Sequence, residues 1–254
     1  MISVNPRSKS EPGIRPFVFL ATLLMLSLAA LPLRAATVFG VVSERSAAEM
    51  AAGAERFNRH YPEHSVVLRT TEQVAKLGDA ELDELLSEAD AVLMAAVFGD
   101  QVGRLAQALR REAESREFPI LAINGDRTLV RLSRLAGRTV LDGLDARGLS
   151  DLMKAPDPGA DVSAHNIAVM RQFPQQIPWL EGRILYQGRT PAHLDGLLRW
   201  MLAQAGQVLT VPELEPRALI RYYRNGEATA EPDDLNLQAG PAVALLDLDS
   251  GDPP

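Results

Sequence analysis

Three short loop runs carry the side chains best suited to binding chemistry: Ser43-Glu44-Arg45-Ser46, Phe98-Gly99-Asp100 and Asn124-Gly125-Asp126. Each follows an apolar run that reads as a strand. Hydroxyl, carboxylate, guanidinium and amide groups would therefore gather with turn-forming glycines at strand ends, a set able to hold a small polar ligand. Asp100 and Asp126 also suit the N-cap of a following helix, and capping is the plainer expectation for both. A fourth run, Tyr222-Tyr223-Arg224, offers two aromatic faces and a cation to a flat ligand, with packing of a junction as the alternative.

Other chemistries find less support. His60 and His64 stand four apart, but Pro62 between them breaks the helix that would aim both rings at one metal, so solvated loop histidines are expected. Asp247, Asp249 and Asp252 begin like a calcium loop whose glycine is misplaced. No metal ligand is assigned. His165 and His193 have no G-x-S-x-G nucleophile beside them, and no cysteine exists to act as thiolate, disulfide partner or lipid anchor. Lys9, Lys76 and Lys154 are the only lysines, which leaves little room for Schiff-base chemistry. Neither G-x-G-x-x-G nor a Walker loop occurs, so a dinucleotide or nucleoside triphosphate site is not expected.

The elements that must position these residues alternate between two periods. TVFGVV, SVVLRT, AVLMAAVF and FPILAIN are short apolar runs rich in β-branched residues. SAAEMAAGAERFNRHY, DAELDELLSEA and DQVGRLAQALRREAES, which lie between them, have helical spacing. Such a βαβ series predicts a doubly wound parallel sheet covered on both faces. RTVLDGL, from Arg138 to Leu144, supplies an expected fifth strand, giving a flavodoxin-like α/β domain over residues 37–150.

Beyond it, residues 151–240 read as a helical and proline-rich linking region. KAPDPGAD is a linker and HNIAVMRQFPQQ a short helix. Thr190 and Pro191 then open a further helix, whose buried face is Leu194, Leu197, Leu198, Met201, Leu202 and Ala205, and which ends at Gly206. The stretch from Leu209 to Pro241 is broken by prolines. Residues 241–254 begin what reads as the first strand of a following domain.

The chain of 254 residues is 46% apolar and 23% charged, a globular profile. Its first segment differs. Arg7, Lys9 and Arg15 precede the uncharged run from Phe17 to Leu33, the layout of an export signal over residues 1–36, with an uncleaved N-terminal anchor as the alternative. Either places the remainder in the periplasm or another extracytoplasmic space. Taking Arg7, Lys9, Arg15, Arg34 and Glu11 from totals of 26 basic and 33 acidic residues leaves 22 and 32, a formal charge of −10. An acidic body argues against nucleic acid as a partner, and membrane contact is expected only through the N-terminal segment.

The order of parts resembles the amino-terminal region of the cobaltochelatase large subunit (CobN) and its relatives, the magnesium chelatase large subunit and the CobN-like haem dechelatases of the cell envelope. ILYQGRTPAHLDGLLRWML resembles that family's aromatic-Gln-Gly turn and leucine-rich helix, and SERSAAEMAAGAERF fits its opening loosely. The likeness spans roughly residues 37–254. Two positions depart from it: Arg189 and His193 replace a glycine and an asparagine, and Tyr222-Tyr223-Arg224 stands where the family has Tyr-His-Pro.

The resemblance implies a truncated or split large subunit, concerned with inserting a metal into a tetrapyrrole or removing it, in cobalamin biosynthesis or haem and corrin salvage. It implies cobalt or another divalent metal as the substrate ion and further chelatase domains or subunits as partners. It carries over no catalytic residue. A chain inactive alone is expected. The alternative is a periplasmic flavodoxin-like module that binds a ligand or docks a partner without catalysis.

Overall fold

The computed structural model describes residues 35–157, 160–212, 222–224 and 227–229. The fold is α/β. Four parallel strands, β1 (Thr37–Val42), β2 (Ser65–Thr70), β3 (Ala91–Ala95) and β4 (Ile120–Ile123), lie in the order β2-β1-β3-β4. Two short strands, β5 (Arg134–Leu135) and β6 (Arg138–Thr139), complete a six-stranded mixed sheet beyond β4.

The sheet is therefore not parallel throughout, and Arg138–Leu144 is not a fifth parallel strand. β5 pairs antiparallel with β4, and β6 antiparallel with β5. Ala136 (φ 50°) and Gly137 (φ 72°) take left-handed conformations and reverse the chain after Leu135. Val140 and Leu141 are buried from a turn, so their apolar character records burial without strand pairing. Side chains complete the pairing of β4 instead. The Ser133 hydroxyl accepts from the Ala122 N–H at 3.1 Å and donates to the Ala122 carbonyl at 3.2 Å, and the Trp179 indole N–H reaches the same carbonyl at 2.9 Å.

Alternation along the strands divides the core in two. Val38, Val42, Leu93, Leu121 and Ile123 point to a first face, covered by α1 (Ala47–His60), α8 (Ile177–Gln187) and α9 (Pro191–Gln204). Leu149 of α6 (Ala146–Met153) and Val169 of α7 (Val162–Gln172) join that core. Phe39, Val41, Val92, Met94 and Ile120 point to a second face, covered by α2 (Thr71–Lys76), α3 (Asp79–Glu88) and α4 (Gln101–Ser115). The short α5 (Arg127–Val130) sends Val130 to the first core and Leu129 to the second. Burial on both faces explains the unbroken apolar runs of β1, β3 and β4.

The helix opened by Thr190 forms as its sequence predicts. The Thr190 hydroxyl accepts from the His193 N–H, Pro191 is the first helical residue, and Leu194, Leu197, Leu198, Met201 and Leu202 are fully buried. Its destination is the sheet. Residues 177–204, expected within a linking region, form much of the first face. α9 lies so close to α1 that a Cβ added at Gly53 would stand 2.4 Å from Leu194 Cβ.

Tyr222–Arg224 and Glu227–Thr229 pair as a separate antiparallel hairpin, β7 and β8. Residues 1–34 and the expected strand after Pro241, with Asp247, Asp249 and Asp252, lie outside the described residues.

Candidate functional site at the strand ends

The loops after β1, β3 and β4 are fastened to one another by backbone hydrogen bonds. Ser43 N–H donates to the Ala95 carbonyl at 3.2 Å, Ala96 N–H to the Ile123 carbonyl at 3.0 Å and Asp126 N–H to the Val97 carbonyl at 2.9 Å. Ala96 (φ 56°) and Asn124 (φ 49°) are left-handed although neither is glycine. Strained backbone of this kind persists where the surroundings enforce it, here at two adjacent strand ends. Gly125 fits because a Cβ there would meet the Val97 carbonyl oxygen at 3.0 Å. The three loops thus form one fixed rim.

Several expected site residues turn out to serve that rim. Glu44 reaches across to the start of α2, accepting from the Thr71 hydroxyl at 2.8 Å and the Glu72 N–H at 2.7 Å. Burial alone would raise its pKa, but these hydrogen bonds outweigh it and hold the carboxyl below the usual glutamate value. Asp126 caps α5 through the Thr128 N–H at 2.7 Å, and the backbone and hydroxyl of Thr128 hold its carboxyl below the usual aspartate value. The plainer expectation is correct for Asp126. Asp100 makes no such cap at the start of α4 and is exposed, as is Arg45. Phe98, beside Gly99, is 60% exposed, and Gln101 Oε1 is buried without a hydrogen-bond partner.

A second polar group meets the rim from far along the chain. Ser43 donates to the Ser46 hydroxyl at 3.2 Å, and Ser46, itself buried, lies 2.9 Å from the buried Tyr186 hydroxyl. Arg189, left-handed at φ 58°, donates to Ser46 Oγ at 2.8 Å and to the Tyr186 hydroxyl at 3.1 Å, with its guanidinium 5.1 Å from the Tyr186 ring centre. The Tyr-Gln-Gly-Arg turn is thereby clasped to the β1 loop. Ser46 closes the first loop expected at the strand ends, Tyr186 was not singled out from the sequence, and no local pattern links residues 140 apart. The turn's unusual composition was the available signal.

The histidines need one correction. His60 ends α1 and is partly exposed, 3.8 Å from Asp195. His64 is not solvated: its side chain is fully buried, and Nδ1 accepts the Ala36 N–H at 3.0 Å. Pro62 does separate the two. Among the described residues no three His, Asp or Glu side chains stand together as metal ligands. The side chains of Tyr222 and Tyr223 lie outside the described residues.

No protein-family model matches the chain, and no curated protein matches it closely.

Proposed function

We propose that the chain is an exported amino-terminal portion of a cobaltochelatase-type large subunit, with the finer fold flavodoxin-like. The strand order β2-β1-β3-β4 supports that finer assignment, with the antiparallel hairpin standing in the fifth position. The clasp of Ser46, Tyr186 and Arg189 carries the functional proposal. It joins the Tyr-Gln-Gly turn, where the family likeness is strongest, to the Ser43–Ser46 opening, which fits the family loosely, at the strand-end rim.

In this role the rim holds an edge of a tetrapyrrole, with Arg45 and Phe98 as its exposed cation and aromatic ring. Metal insertion or removal belongs to the assembly with further chelatase domains or subunits, and cobalt or another divalent ion is its substrate. Chelation requires bases held around a flat macrocycle, because proton transfer depends on positioned groups. An extracytoplasmic setting without ATP favours removal or salvage over driven insertion. The second reading is a ligand-binding or partner-docking module unrelated to chelation, favoured by the fixed rim and the partnerless Gln101 Oε1.

The test incubates the purified chain with haem, a metal-free porphyrin, and a corrin precursor plus cobalt, and follows the visible spectra. A shifted spectrum without change in metallation is expected. Protein-dependent gain or loss of metal would overturn the division of labour, and unshifted spectra with all three would leave only the second reading.

A further inference from the structure

We infer that the Ala35–Ala36 peptide bond is the processing site of this chain, and that the buried His64 imidazole is the acceptor for the amino terminus released there. The inference rests on the export reading.

Along the described residues Ala36 is the first that is buried. Ala35 is exposed, whereas Ala36 is 1% exposed, its carbonyl accepting from the Ser65 N–H at 2.9 Å and its N–H donating to His64 Nδ1 at 3.0 Å. Because Nδ1 accepts, the proton of the neutral ring sits on Nε2. That buried Nε2 has no hydrogen-bond partner, and Glu63 Oε1 stands 3.8 Å away. Phe57 and Tyr61 enclose the ring.

Hydrolysis by an export-coupled peptidase adds one water across the bond, sending Ala35 away as a carboxylate and leaving Ala36 with a free amine. That amine keeps its hydrogen bond to Nδ1. When protonated it makes the bond charge-assisted. Cleavage one residue later would delete a buried residue and leave both His64 Nδ1 and the Ser65 N–H without their partners. In the leader, cleavage after either alanine leaves an imperfect small-residue motif. Cleavage after Ala35 places apolar Leu33 three residues back, while cleavage after Ala36 places charged Arg34 there.

The experiment expresses the full chain in an exporting host and determines the amino terminus of the extracytoplasmic product by intact mass and end-group sequencing. Ala36 is expected. Any other start in that fraction overturns the inference and leaves export standing, as does full-length protein in the membrane; full-length protein confined to the cytoplasm overturns both. The acceptor is tested by acetic anhydride labelling of the product's α-amino group, expected to be at least about tenfold slower folded than in urea. His64→Asn, which keeps an acceptor near the Nδ1 position, should retain that protection, and His64→Leu should lose it. Equal rates for the folded and unfolded wild-type product would overturn the role of His64 whether or not either variant folds.

Discussion

Both faces of the sheet are packed with apolar side chains, but they handle charge in opposite ways. On the second face the charged groups stay at the rim and hold helix ends. Arg104 donates to the Val74 and Leu77 carbonyls at the end of α2, and Arg116 to the Leu86 and Ala89 carbonyls at the end of α3. On the first face charge lies inside. Asp195, 1% exposed, accepts from Arg199 at 2.8 and 2.6 Å and from Arg56 at 3.2 Å between α9 and α1. Arg183 is buried against the Leu152 and Met153 carbonyls that end α6, and desolvation lowers its pKa to about 10, so it remains charged at neutral pH. The second face is assembled from segments close in sequence. The first joins α1 to helices more than a hundred residues later, and Arg56 of α1 donates to the buried Asp195 of α9 across that distant docking.

The most severe way to break the contrast is Leu198→Asp. Leu198 is fully buried on α9, and an unpaired carboxylate there should cost roughly 3–5 kcal/mol. Gln204→Ala, a partly buried position at the end of the same helix, should cost less than about 0.5 kcal/mol. Urea unfolding measures both, and equal midpoints would place the buried face of α9 elsewhere.

Next in size is Asp195→Ala. It leaves Arg199, whose side chain is 14% exposed, without its carboxylate, and should cost about 2–4 kcal/mol. The exposed pair Arg111–Asp83 on the second face provides the comparison, since Asp83→Ala should change stability by less than about 1 kcal/mol. Similar losses would mean that the two faces do not differ in how charge holds them. Gly53→Ala tests the docking sterically: the added methyl meets Leu194 at the closest approach of α1 and α9, and the loss should be about 1–3 kcal/mol, seen as a lower melting temperature.

The same contrast explains what the sequence could reveal. β1 to β4 and α9 were legible because strand and helix periods are local signals, and the strand ends located the rim at Ser43, Gly99 and Asn124. The hairpin was misread because Val140 and Leu141 have strand-like composition while the turn at Ala136 and Gly137 decides their geometry. His64 was misread because the group bonded to its ring, the Ala36 N–H just before β1, lies 28 residues away. Ser46, Tyr186 and Arg189 form one group only after α8 and α9 return to the sheet. Composition recorded that those helices are apolar on one face, but held no record of which surface they cover.

Glu44 offers the smallest effect and a test at the boundary between the faces, since it extends from the β1 loop to the first turn of a second-face helix. Its folded pKa lies below the usual glutamate value, because the Glu72 N–H and Thr71 hydroxyl bonds favour the ionised form over the opposing effect of burial. A depressed folded value contributes stability above the unfolded pKa, and that contribution disappears as pH falls through the folded pKa. Glu44→Gln removes the titration while keeping an amide oxygen as acceptor. Wild type should therefore be modestly more stable than Glu44→Gln near neutrality, with the gap narrowing as the pH is lowered to about 3. Asp126 is unchanged in both proteins, so its own acid sensitivity cancels in the difference. Urea midpoints at several pH values read the gap directly. A gap independent of pH would show that Glu44 does not hold α2 through its charge.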